Sequence, residues 1–253
     1  MSERTALRDW LIDLARADEH VTSAAVLGSG ADGHEDRWSE IDLALRLAPG
    51  RDPKVIADAR AERLGERVQP VSQLDIWSLG ALYRVFLLPD TLQVDVSFWP
   101  DDRFAAHGPN LRLFFGEANE PVSTPSGSAA RVLGMAWLYA LHLRSSIARG
   151  RAWQSVYMIN GVRDHVVELA CLRYGLPSAQ GRGTDELPFD LRSALKATLP
   201  QTTEDGEPSR CFGELVPLLV SEAHHVDPQG AQELADVPAE LVRTSGSSAG
   251  DDL

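Results

Sequence analysis

The sequence predicts an α+β protein: an N-terminal mixed β-sheet domain with flanking helices, followed by a C-terminal helical bundle. Three observations predict it. Short apolar runs between turn residues crowd the first hundred residues, at 22–27, 40–47, 73–78, 82–88 and 92–98, and the runs at 40–47 and 92–98 alternate with a period of two. Two stretches among them repeat instead at three and four residues, at 5–17 and from Asp52 to about 64. Beyond residue 125 the strand pattern stops, and only helical periodicity remains.

In order, Leu7, Trp10, Leu11, Leu14 and Ala15 give the first helix one apolar stripe. The strands at 22–27 and 40–47 follow, and Pro49-Gly50 turns the chain. Asp52-Pro53 opens the second helix, with Asp as cap and Pro in the first turn. Leu79-Gly80 and Pro89-Asp90 are turns between strands, so 82–88 and 92–98 form an antiparallel hairpin. Residues 99–125 are irregular, with a short strand at 111–115. The helices expected after them lie at 128–148, 153–174, 187–199, 211–225 and 229–243. Gly175, with Pro177 behind it, is a stop signal for the second of these. The expected organisation is a domain over 1–125, a second over 126–243, and a disordered Ser/Gly/Asp tail over 244–253.

The chain has 253 residues, 43% hydrophobic and 24% charged, the composition of a soluble globular protein. It has no run with the length of a membrane span and no signal-peptide pattern, so the expected location is the cytoplasm and no membrane partner is expected. A net charge of -13 argues against a non-specific nucleic-acid binder, whose affinity comes from neutralising phosphates. It is compatible with a cationic small molecule, and equally with acidity that serves solubility. Cys171 and Cys211 sit in apolar helical contexts and read as buried free thiols. Lys54 and Lys196 are the only lysines, so a phosphate clamp falls to arginine or backbone. The sequence is silent on oligomeric state.

The stretch with chemistry runs from Ala24 to Leu45. An apolar strand enters a Gly28-Ser29 turn, a polar loop follows, and then Glu40-Ile41-Asp42-Leu43. On a strand, Glu40 and Asp42 share one face and the apolar residues share the other. Two carboxylates on one face suit a hard divalent cation such as Mg2+, and the Gly-Ser turn can offer N–H groups and a hydroxyl to phosphates. A third acid, Asp95, stands in Leu92-Gln93-Val94-Asp95-Val96.

This order of motifs resembles the nucleotidyltransferase superfamily, and is similar to the small-antibiotic adenylyltransferases that act on aminoglycosides and lincosamides. The motifs cover roughly the first two-fifths of the chain. The resemblance implies Mg2+ held by Glu40, Asp42 and Asp95, and ATP as a substrate cradled by Gly28 and Ser29. It implies transfer of AMP to a hydroxyl of a small acceptor, which is an aminoglycoside or lincosamide, as in antibiotic resistance, or another metabolite. Asp95 would hold metal or take the proton of the attacking hydroxyl. The family usually has Asp where this chain has Glu40, which is longer by a methylene. Arg46, on the parity of Asp42, and Arg37 are candidate phosphate partners, and each is also what a surface arginine looks like. His34 lies in the same loop.

In the helical half, Tyr157, Asn160, Asp164 and Glu168 form one polar stripe, opposite Val156, Ile159, Val162 and Val166. Such a stripe is also what a solvated face looks like. By the resemblance it would line the acceptor cleft, with Tyr157 and Asp164 as acceptor-binding residues and Glu168 as a catalytic base. Arg182, in the Gly-rich loop 180–188, is a further candidate for nucleotide binding. Two other functions fit the same residues: a nucleotidyltransferase acting on tRNA or a toxin partner, and a catalytically weak nucleotide-binding regulator, for which Glu40 is the motivating feature.

Overall fold

The computed structural model describes residues 3–27, 30–31, 36, 38–105, 111–120, 128–204, 206–233 and 237–245. The chain divides into two compact units, Met1–Thr124 and Pro125–Leu253. Of the expected disordered tail, Thr244 and Ser245 are helical and end the last described helix; the rest of it and the boundary around Pro125 lie outside the described residues.

The first unit is built on a six-stranded mixed sheet. Its elements in chain order are α1 (Glu3–Arg16), β1 (Val21–Leu27), β2 (Ile41–Leu47), α2 (Pro53–Arg67), β3 (Ser72–Ser78), β4 (Ala81–Leu87), β5 (Gln93–Trp99) and β6 (Leu111–Phe115). The order across the sheet is β3-β4-β5-β2-β1-β6. All neighbours are antiparallel except β2 and β5, which run parallel. The expected hairpin is β4–β5.

Alternation divides the sheet into two faces. Ile41, Leu43, Leu45 and Leu47 of β2, with Val94, Val96 and Phe98 of β5, are buried against Leu7, Leu11 and Ile12 of α1 and Ile56, Ala57 and Leu64 of α2. Asp52 caps α2 as its sequence requires, its side chain accepting from the Lys54 N–H at 2.8 Å, with Pro53 in the first turn. The opposite face carries a smaller apolar group of Ala25, Ala44, Ala81, Trp99 and Phe104, with Tyr83 against it. Gly116, just past β6, has φ +76, and a Cβ there would lie 2.3 Å from the Thr22 carbonyl oxygen. Only glycine lets the chain leave β6 this close to β1.

One buried charge sits on the helix-covered side. Arg84 of β4 is fully buried. Its Nε and Nη2 donate to the two carboxylate oxygens of Asp75 on β3, at 2.6 and 2.7 Å, and Nη1 lies 2.9 Å from Asp58 of α2. The guanidinium thereby ties the end of the sheet to α2.

The second unit is helical: α3 (Ala129–Ala148), α4 (Ala152–Tyr174), α5 (Phe189–Ala197), α6 (Glu207–Val226), α7 (Pro228–Glu233) and α8 (Val237–Ser245). The single helix expected over 229–243 is described as two segments, α7 and α8, with 234–236 between them outside the described residues. Gly175 ends α4 at φ +66 with its N–H bonded back into the last turn, the left-handed stop that its position predicts. The core joins Val132, Leu133, Ala136 and Leu143 of α3 to Ile159, Val162 and Val166 of α4 and Phe212 and Leu215 of α6. Cys171 and Cys211 are buried free thiols in it, and burial pushes both thiols up from their usual pKa.

Gly161 fixes how closely α3 and α4 approach. A Cβ there would fall 2.2 Å from the Tyr139 ring, and that ring also lies 5.3 Å from the His165 ring. Alanine gains up to about 1 kcal/mol of helix propensity over glycine. Displacing a packed ring costs about 1–3 kcal/mol. Gly161→Ala should therefore lower the stability of this unit by about 1–2 kcal/mol, read as a lower urea midpoint with unchanged slope. A neutral or raised midpoint would show that the ring moves freely.

Candidate functional site

The parallel pairing of β2 with β5 sets Asp42 directly opposite Asp95. Both are partly buried, near the N-terminal ends of their strands, on the face away from α1 and α2. Neighbouring strands lie about 4.8 Å apart, so residues in register bring their carboxyl groups to one locality. Asp95 Oδ1 is buried with no hydrogen-bond partner. Burial, and then the charge of Glu40, push its pKa up to about 6. A partly buried carboxyl with an orphaned oxygen beside a second acid lacks a positive partner. This donor set fits a divalent cation bound by oxygen ligands.

Glu40 departs from its expected place. The strand begins at Ile41, and Glu40 is an exposed residue just before it, so the strand alternation that would align it with Asp42 does not extend to it. It acts on Asp95 through its charge. Among the described residues no group of three His, Cys, Asp or Glu stands close enough to hold a metal ion. The pair Asp42 and Asp95 is thus the centre, with Glu40 at its rim.

Around the pair lie residues that sequence patterning does not single out. Tyr83 of β4 is opposite Ser97, and its ring meets Trp99 edge-on at a centroid distance of 5.7 Å. Its hydroxyl pKa is raised to about 12, by burial first and then by Asp95 and Asp42. The Ser97 hydroxyl donates to the Leu43 carbonyl at 3.1 Å and accepts from the Trp99 indole at 2.9 Å, cross-linking the two parallel strands under the site. The signal for Tyr83 is its parity on β4, which becomes readable once the register with β5 is known.

Arg46 is on the predicted face but is committed elsewhere. It stands four residues along β2 from Asp42, about 13 Å at the rise of a strand. Its Nε donates to Asp101 at 2.9 Å, one terminal nitrogen to the Asn119 side chain at 3.1 Å, and the other to the Glu117 carbonyl at 3.2 Å. With three acceptors in place, it ties β2 to the segments flanking β6, and a phosphate would have to displace them. Gly28, Ser29, His34 and Arg37 lie outside the described residues.

In the helical unit, Asp164 and Glu168 line a groove of about 770 Å³ together with Arg163, Gln180, Thr184, Asp185, Arg192 and Lys196. That volume is within the range of small-molecule sites. The groove is walled by α4, by the 178–185 segment and by α5. Arg163 donates to the Asn160 side chain, and burial lowers its pKa. Arg182, expected to reach nucleotide, is exposed and donates to Gln180 at 2.7 Å, and it is not among the lining residues. Tyr157 is largely exposed and also lies outside the lining, although it shares a stripe with Asp164. The stripe spans more than two helical turns, and the groove takes only its C-terminal part.

Fold and site together define an α+β protein with a two-carboxylate centre on a mixed sheet and a separate helical unit. No family model and no curated protein matches the chain. Among solved structures, it is similar to an aminoglycoside 6-adenyltransferase from Bacillus subtilis, at 11% identity over 95% of this chain and 98% of that one, with a TM-score of 0.38. It is similar also to a nucleotidyltransferase-like protein from Exiguobacterium sibiricum, at 16% identity over 94% of this chain and 80% of that one, with a TM-score of 0.45. No helix among the described residues is long and apolar enough to cross a membrane.

Proposed function

We propose that this chain is a magnesium-dependent nucleotidyltransferase that moves AMP from ATP to a hydroxyl of a small acceptor, an aminoglycoside or lincosamide by the sequence resemblance. The observation that carries the reading is the in-register pair Asp42 and Asp95, with its buried, unpartnered oxygen. Acids are depleted in strands, and two facing each other across a parallel pair are costly unless a cation or a reaction uses them.

Nucleotidyl transfer asks the protein for positioning and charge control. Asp42 and Asp95 would hold the cation, which when bound neutralises phosphate charge. Asp95 would either hold the cation or take the proton of the attacking hydroxyl. Gly28 and Ser29 remain the candidates for cradling the nucleotide's phosphates. The groove, where Asp164, Glu168 and Asp185 stand among Arg163, Arg192 and Lys196, is the candidate acceptor site, with Glu168 as the second candidate base.

The test is pyrophosphate release with ATP, Mg2+ and a panel of aminoglycosides and lincosamides, followed by mass spectrometry of the acceptors. One adenylate added to one compound is expected, with at least a ~100-fold loss of rate in Asp42→Asn. Unchanged transfer in that variant would remove the pair from the chemistry. A second reading, a weakly catalytic nucleotide-binding regulator, is favoured by the position of Glu40 outside β2. Its signature would be Mg2+-dependent ATP binding with no pyrophosphate from any acceptor.

A further inference from the structure

We propose that β3 is a self-pairing edge through which two copies of this chain join into one continuous sheet. Among the described residues β4 is its only neighbour in the sheet, so its other side presents backbone N–H and C=O groups without a strand to receive them. Proteins protect such edges with lysine, proline, bulges or short strands. This edge has none of these; its one charge, Asp75, points to the helix-covered face and is paired with Arg84. Ser72-Gln73-Leu74-Asp75-Ile76-Trp77-Ser78 contains no lysine or proline, and it pairs with β4 through seven consecutive residues without a shift in register. It is also apolar where it meets solvent: Leu74 is 59% and Trp77 58% exposed, and Val71, Ile76, Leu79 and Leu87 stand out beside them. Edge pairing covers part of these side chains, so the contact falls at the small end for a specific pair and depends on concentration.

The occupant is a second copy because the strand complements itself. A two-fold axis perpendicular to the sheet pairs β3 antiparallel with β3. Side chains directly opposite each other must then come from the same face. Centred on Ile76, the pairing sets Ile76 against Ile76 of the second copy. Trp77 then faces Asp75 of that copy, which gives the indole N–H a carboxylate acceptor. Leu74 faces Ser78. Centring on Asp75 would instead place like charges opposite each other, which is unfavourable. Asp75 already binds Arg84 bidentately, so the acid that faces Trp77, one residue from the axis, is paired within its own chain. The chain's net charge of -13 opposes association at long range, so salt should strengthen the pair. This inference is independent of the catalytic reading.

The experiment uses the full chain. Sedimentation should show a concentration-dependent dimer that tightens with salt. Ile76→Lys, which brings two ammonium groups to the axis, should weaken it by at least ~10-fold with the circular dichroism spectrum unchanged. Ile76→Cys should cross-link to itself under mild oxidation, since directly opposite Cβ atoms lie about 5 Å apart. Leu74→Cys, on the same face, should not, because the two copies of Leu74 would lie about 13 Å apart. Cys171 and Cys211 are buried and do not compete. A monomer at every concentration, a dimer indifferent to Ile76→Lys, or equal cross-linking from position 74 would each overturn the proposal.

Discussion

Asp95→Asn should make the metal-free protein more stable at pH 8 while abolishing transfer. The folded carboxyl titrates at about 6, against 3.8 for an ordinary aspartate. Its folded pKa is raised, so between those values the native state binds more protons than the unfolded one, and stability falls as pH rises through the window. Each pKa unit is worth about 1.4 kcal/mol, so the penalty fully present above pH 6 is about 2–3 kcal/mol. An asparagine of the same shape carries no charge to bury. Melts in EDTA should therefore show the variant ahead of the parent at pH 8 and level with it near pH 4. Mg2+ should raise the parent's midpoint at pH 8 and leave the variant's unchanged, because a ligand stabilises only the state that binds it. A variant less stable than the parent at pH 8 would mean that Asp95 is held by attractive contacts, and the cation reading would lose its main support.

The other large effect concerns Arg84. Removing its acids should be worse than removing the arginine. Asp75→Ala leaves a fully buried guanidinium with Asp58 alone, and stranding one partner of a buried ion pair costs about 3–5 kcal/mol. Asp58 is half exposed and softens the loss, so about 3 kcal/mol is expected. Arg84→Met keeps most of the volume and strands only acids that reach water, for a loss of about 1–2 kcal/mol. Urea titrations at pH 7 read both. Bonding to Arg84 chiefly lowers the pKa of Asp75, so the pair's contribution is present above the unfolded aspartate value and fades as pH falls through the folded one. The gap between parent and Arg84→Met should narrow in acid. A larger loss in Arg84→Met than in Asp75→Ala would show that packing outweighs charge here.

Much of this molecule is legible in its amino-acid sequence. The strands and helices expected from periodicity are present, because Ile41, Leu43 and Leu45 can be buried together only on a strand, and Ile159, Val162 and Val166 only on a helix. Asp52-Pro53 and Gly175 act as punctuation because cap chemistry is local. Asp42 and Asp95 stand out as acids inside apolar strands. What periodicity cannot supply is pairing. That Asp42 faces Asp95 depends on the parallel register of β2 with β5. Tyr83 and Arg84 gain their meaning from a third strand. Glu40 shows the limit of alternation, which holds only where a strand continues. Arg46 shows that sharing a face is not sharing a site, because hydrogen-bond partners from residues 101–119 claim it. Arg182 and Tyr157 sit on plausible surfaces, and the groove passes them by.

The parallel union of β2 and β5 has a kinetic consequence. The strands are separated in sequence by α2, β3 and β4, so their union closes a long loop, and contacts of such separation form slowly. The two aspartates meet only when that loop closes. The cost of burying the charged Asp95 therefore enters at that closing event. Refolding in EDTA should be faster at pH 5 than at pH 8, while Asp95→Asn should lose most of that dependence. On the proposed function, a divalent cation bound by the pair would relieve that cost at the step where the chain brings its two acids together.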